Sequence, residues 1–169
     1  MPVVQRHRTI EERVTMNLHN IGVIGAGTMG NGIAQICAVA GINVTLLDIS
    51  AGALEKALAT VSKNLDRQVS KGILSEPQKH TALGNIHTST DYASLANAQW
   101  VIEAATENLE LKRRVLQQIA ANVSEQCVIA SNTSSLSITE LAAGVNAPER
   151  FIGLHFFNPV PVMQLIEVI

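Results

Sequence analysis

A short apolar run, Asn20 to Ile24, stops at Gly25-Ala26-Gly27-Thr28-Met29-Gly30, and Met29 to Ala40 is then helix-compatible up to Gly41. A G-x-G-x-x-G between a strand and a helix constrains the fold more than any other feature of this chain. Gly25 permits a tight turn, Gly27 lets a ligand approach the backbone, and Gly30 lets helix and strand pack closely. The free N–H groups and positive end of the helix then face a pyrophosphate, held along Gly25, Ala26, Gly27, Thr28, Met29 and Gly30. The next apolar run, Ile42 to Asp48, closes on an acid 18 residues past Gly30. A carboxylate there accepts hydrogen bonds from ribose hydroxyls and repels a 2′-phosphate. No arginine follows in Ile49-Ser50, so NAD is favoured over NADP.

The rest of the chain keeps the same alternation. Ser50 caps a long Ala-rich helix to about Lys71, with Gly72 behind it, and Pro77 opens a short helix. Ile86 to Thr88 reads as a brief strand and Asp91 as the cap of a short helix. Trp100 to Ala104 is a strand, followed by a helix over Glu110 to Val123 with Leu111, Val115, Leu116 and Ile119 on one stripe. Cys127 to Ala130 is a strand, and Ser137-Ile138-Thr139-Glu140 is a capping box opening another helix. Phe151 to Leu154 and Leu165 to Ile169 close the chain as strands. Continuous apolar strands between helices predict an α/β doubly wound, mostly parallel sheet of Rossmann type.

Composition narrows the function classes. Apolar residues make up 47% of 169 and charged residues 15%, enough for a buried core. Fourteen acids against twelve bases give a net charge of −2, which argues against a general nucleic-acid binder. No apolar run approaches the roughly 18 residues that span a bilayer, so no membrane partner is expected. Cys37 and Cys127 lie in apolar runs and read as reduced core thiols of a cytoplasmic protein, with no disulfide and no metal site. Residues 1–16 carry Arg6, Arg8 and Arg13 with Glu11 and Glu12 but no apolar stretch. They read as a disordered leader, with a docking or targeting extension as the alternative, ahead of one nucleotide-binding domain over 17–169.

Four segments carry a resemblance to a known family. They are Ile21 to Gly30 with Gly32-Ile33-Ala34-Gln35; Val101-Ile102-Glu103-Ala104 with Glu107-Asn108; Ser131 to Leu136; and Gly153-Leu154-His155-Phe156-Phe157-Asn158-Pro159-Val160-Pro161-Val162-Met163. From Ile21 onward the chain resembles the 3-hydroxyacyl-CoA dehydrogenases, including 3-hydroxybutyryl-CoA dehydrogenases. The resemblance implies NAD-dependent oxidation of an L-3-hydroxyacyl-CoA to the 3-ketoacyl-CoA, as in fatty-acid β-oxidation. It also implies that a helical C-terminal domain, which supplies the homodimer interface and closes over the substrate, is absent from this chain. The isolated chain is then expected to be nearly inactive.

Oxidising a secondary alcohol needs a hydride acceptor and a base, and imidazole suits the base role near neutral pH. His155 matches the family's catalytic histidine and Glu167 its acidic partner, which would fix the ring tautomer and stabilise the imidazolium. Asn158-Pro159-Val160-Pro161 between them can reverse the chain so that the two meet. Ser134 matches the serine near the reacting oxygen and the nicotinamide, Asn158 a position near the nicotinamide, and Asn132 a residue that orients backbone there. Glu107 and Lys112 match positions lining the cofactor and active cleft, and Glu103 reads as structural. Asn64 and Lys71 fall where the family places CoA contacts, although asparagine replaces the usual serine. His7, His19, His80 and His87 lie in polar or terminal contexts and read as solvated. Two other readings stand beside this one: the same fold acting on a hydroxy sugar acid or other 3-hydroxy acid without CoA, and a nucleotide-binding module without turnover.

Overall fold

The computed structural model describes residues 17–169, so the leader reading of residues 1–16 lies outside the described residues. Among the described residues seven strands form: β1 (Asn20–Ile24), β2 (Asn43–Leu47), β3 (Ile86–Ser89), β4 (Trp100–Glu103), β5 (Val128–Ser131), β6 (Phe151–Phe156) and β7 (Ile166–Val168). Five helices join them: α1 (Thr28–Val39), α2 (Ala51–Ser70), α3 (Glu76–Gly84), α4 (Leu109–Asn122) and α5 (Ile138–Ala142). The sheet order is β3-β2-β1-β4-β5-β6-β7. Strands β1 to β6 are parallel and β7 runs antiparallel to β6. This is the doubly wound, mostly parallel arrangement expected. The chain moves outward from β1 to β3, then returns to β4 beside β1, so the order reverses between β1 and β4. In open sheets of this kind ligands bind at that reversal, outside the carboxyl ends of the strands.

Local chemistry accounts for the helix ends. Ser50 accepts the Ala53 N–H at the start of α2, and Ser75 forms a reciprocal capping box with Gln78 at the start of α3. Gly41 and Gly72, at φ +85° and +70°, take the left-handed conformation just after α1 and α2. Asn108 caps α4 through the Leu111 N–H. Only half of the expected Ser137 box forms. Ser137 accepts the Glu140 N–H at 3.2 Å, but the Glu140 carboxylate reaches across to Arg113 at 2.6 Å.

Each sheet face carries its own core. Ile21, Val23, Val44 and Leu46 pack under α1, α2 and α3 through Ile33, Leu54, Val61, Leu65 and Ala82. Ile24, Leu47, Val101 and Ile129 pack under α4 and α5 through Leu116, Ile119 and Leu141. Burying a side chain such as Leu116 or Ile119 stabilises the fold by about 1.5–3 kcal/mol. Leu111 departs from the expected stripe: it is half exposed, because its turn of α4 overhangs the strand ends instead of the sheet. Cys127 is buried as expected, whereas Cys37 is only partly so; both thiols are free. Burial pushes the Cys37 thiol up to about 12 and the Cys127 thiol up to about 11.

Candidate active site

The segments singled out in the sequence gather at the carboxyl ends of the parallel strands. The glycine turn follows β1, Asp48 follows β2, Glu107 follows β4, Ser134 follows β5 and Asn158 follows β6. Gly25 has φ +98°, and its N–H bonds the Leu47 carbonyl at 2.8 Å. Among the described residues no side chain caps α1, and no acid lies in its first turn, which leaves that helix end open to an anion. A Cβ on Gly27 would meet nothing within 4 Å, so this backbone faces open space. A Cβ on Gly30 would lie 1.7 Å from the Gly25 carbonyl oxygen. Gly30 therefore lets α1 lie directly against the turn that ends β1, where the Val23 side chain is also 3.6 Å from that Cβ position.

Asp48 does more than await a ribose. One carboxylate oxygen accepts the Ala26 N–H at 2.8 Å and the other the Ser50 N–H at 2.9 Å, so the acid also shapes the glycine turn. Beside it, Ile49, Tyr92, Thr106, Leu111 and Val115 line a cleft of about 200 Å³ suited to a flat heteroaromatic ring. Burial, then the Glu103 and Asp48 charges, push the Tyr92 phenol up from its ordinary value, so it stays a hydrogen-bond donor. The open glycine turn, the acid and the apolar cleft together fit a dinucleotide.

At the other end, β7 returns alongside β6 with His155 directly opposite Glu167. His155 Nδ1 lies 2.8 Å from Glu167 Oε2. The histidine side chain is 20% exposed and the acid 51%, so the pair opens to a ligand. Phe157 sets its ring 4.5 Å from the imidazole at a 53° tilt. Val160 of the intervening turn packs on α1, where a Cβ on Gly32 would approach it to 2.8 Å. The cofactor helix and the histidine hairpin are thus in direct contact. Asn158 is exposed in the turn, and its bond to Pro159 is cis.

Between these two ends, Glu107 organises the segment after β5. Its carboxylate accepts the Thr133 hydroxyl at 2.6 Å and the Ser134 N–H at 3.2 Å. Thr133, buried, in turn accepts the Leu136 N–H at 3.0 Å. Asn132 accepts the Phe156 N–H at 2.9 Å, a backbone-orienting bond of the kind expected of it. Lys112 is a correction. It does not line an open cleft; it is 1% exposed, with its ammonium on the Glu103 carboxylate. Asn64 is half-buried and its amide donates to Gln35 Oε1 at 3.2 Å, while Lys71 is exposed at the end of α2. Thr133 and the cleft residues Tyr92 and Thr106 were not anticipated. The polar run Ser131 to Ser135 directly behind an apolar strand was the available signal for Thr133. His19, His80 and His87 are exposed, and His7 lies outside the described residues. Among the described residues no cluster of His, Cys, Asp and Glu could hold a metal ion, and no helix is long and apolar enough to cross a membrane.

Residues 20–169 match the family model for the 3-hydroxyacyl-CoA dehydrogenase NAD binding domain. The chain belongs to the 3-hydroxyacyl-CoA dehydrogenase family. Within that family it corresponds to the NAD-binding domain, and NAD is its cofactor. A 3-hydroxybutyryl-CoA dehydrogenase of Bradyrhizobium diazoefficiens is 48% identical over 152 residues, covering 90% of this chain and 52% of that protein. A 3-hydroxyadipyl-CoA dehydrogenase of Escherichia coli is 45% identical, covering 91% of this chain and 32% of that protein. The crystal structure of (S)-3-hydroxybutyryl-CoA dehydrogenase from Ralstonia eutropha superposes with a TM-score of 0.88 at 55% identity, covering 89% of this chain and 53% of that one. The chain thus spans about half the length, or less, of the relatives it matches.

Proposed function

We propose that this chain is the cofactor half of an enzyme that oxidises L-3-hydroxyacyl-CoA to 3-ketoacyl-CoA. The observation that carries the reading is the His155 Nδ1 to Glu167 Oε2 contact of 2.8 Å at the mouth of a dinucleotide cleft. With Nδ1 occupied by the carboxylate, Nε2 is the nitrogen left to take the hydroxyl proton. Glu167 then stabilises the imidazolium without itself being protonated. Bound NAD supplies the hydride acceptor. Asp48 holds the ribose hydroxyls, the Gly25–Gly30 turn the pyrophosphate, and Ser134, Asn158 and Glu107 border the nicotinamide end. Ser134 also orients the reacting oxygen.

The CoA ester is supported by the names of the relatives, and Lys71 offers an exposed cation for a CoA phosphate. Asn64 contributes less, because Gln35 occupies its amide. A helical partner domain completes the substrate pocket and the homodimer, so the isolated chain turns over slowly. The protein works in the cytoplasm, on small molecules only.

The test is acetoacetyl-CoA reduction by NADH in the protein carrying this domain. His155→Ala is expected to lower kcat by about 10²–10⁴-fold with NADH binding retained, and unchanged turnover would sink the assignment. Running free 3-hydroxybutyrate and hydroxy sugar acids beside the CoA ester separates the CoA reading from the other substrates.

A further inference from the structure

We infer that Glu103 is a positioning residue that sets the two segments bordering the nicotinamide end of the site, a role that rests on the cofactor reading above. Glu103 ends β4 and is 0% exposed. One carboxylate oxygen accepts the Ala105 N–H at 2.9 Å. The other accepts the Ser131 hydroxyl at 2.9 Å and the Lys112 ammonium. Its main-chain carbonyl accepts the Asn132 N–H at 2.8 Å. A single residue therefore grips the segment after β4, the first turn of α4 and the end of β5.

Both gripped segments lead to the site. Two residues beyond Ala105 stands Glu107, which bonds Thr133 and Ser134. Asn132 passes the constraint on to β6 by accepting the Phe156 N–H, next to His155. Glu103 thus connects, through these hydrogen bonds and short stretches of chain, to Glu107 and Ser134 on one side and to the strand carrying His155 on the other.

Folding alone does not call for this arrangement. Removing a carboxylate and an ammonium from water is costly, and apolar residues of similar volume usually serve stability as well or better. The surrounding strands are otherwise apolar: Val101, Ile102, Ile129 and Ala130 are all buried. A fully hydrogen-bonded charge is nevertheless stiff, and stiffness under two loops is what a binding site for a floppy dinucleotide requires.

The test compares NADH with adenosine diphosphate ribose, which lacks the nicotinamide, as ligands of this chain. Glu103→Leu combined with Lys112→Met removes both charges together, so neither is left buried alone. It is expected to weaken NADH binding by about two- to thirtyfold while leaving adenosine diphosphate ribose within about twofold. Glu103→Gln combined with Lys112→Met restores acceptance of the Ala105 N–H and a bond to Ser131, and is expected to recover most of the loss. Equal weakening of both ligands, no weakening, or no recovery by the glutamine variant overturns the inference. So does a leucine variant without a cooperative thermal transition, because that assigns the carboxylate to folding. A wild-type chain that binds neither ligand instead fails the cofactor reading, and the inference with it, before any substitution is made.

Discussion

Replacing Gly30 by alanine places a Cβ 1.7 Å from the Gly25 carbonyl oxygen. An ordinary carbon–oxygen contact is about 3.3 Å, so the carbonyl must move by about 1.6 Å. It has little room. Gly25 is held at φ +98° by the Leu47 carbonyl, and the backbone of Ala104 and Ala105 lies against it. Overpacking of backbone on this scale costs about 3 kcal/mol, which lowers Tm by about 6–12 °C for a chain of this length. Gly27→Ala is the control within the same motif. Gly27 has φ −69°, a conformation open to alanine, and its Cβ meets nothing. That substitution is expected to raise stability by about 0.4–1 kcal/mol through the unfolded chain. It is also expected to weaken NADH binding about tenfold or more by intruding on the phosphate space. Thermal unfolding by circular dichroism and NADH fluorescence titration read the two effects separately. A Gly30→Ala chain melting within about 2 °C of the wild type would refute the steric argument. Wild-type NADH affinity in Gly27→Ala would refute the phosphate cradle.

Asp48→Asn presents an amide donor to one of the two backbone N–H groups that the carboxylate now accepts. The expected cost is about 1–3 kcal/mol in urea unfolding, together with weaker NADH binding in calorimetry; unaltered affinity would count against the ribose role. The two thiols are expected to resist a disulfide reagent at pH 8 in the native chain and to react fully in denaturant, a contrast that equal rates would remove. Their folded values of about 12 and 11 exceed the ordinary 9.0, so the folded chain keeps protons that the unfolded chain releases. The contribution to stability is complete below about pH 9 and is lost as the pH climbs toward 11–12, which denaturant titrations across that range measure.

Much of the fold is legible in the residues because its signals are local. Gly41 and Gly72 mark helix ends by their left-handed backbone, Ser50 and Ser75 mark helix starts, and continuous runs such as Val101-Ile102 mark strands covered on both faces. The His155–Glu167 pair was also within reach, since a Pro-rich turn separates two short strands. Leu111 is misplaced by its helical stripe, and Lys112 by a family position that says which segment lines the cleft but not where the side chain points. Helical periodicity orders the faces of α4 relative to each other, but does not say how far its first turn extends past the sheet. Leu111 consequently overhangs the cleft, while Lys112 points inward to a charge on another element. The Thr133 network was hidden because its partner, Glu107, lies 26 positions away.

The His155–Glu167 contact depends on strand register, with His155 opposite Glu167, Leu154 opposite Val168 and Phe156 opposite Ile166. A slip of one residue would set Ile166 or Val168 against the imidazole and turn the carboxylate to the other face. The segment from Asn158 to Leu165 is therefore constrained first in its length. Losing or gaining one residue there would abolish the pair while leaving the sheet intact, whereas an exchange of side chains at the same length would keep it. Among homologous chains, insertions and deletions should be missing from this stretch even where its composition drifts.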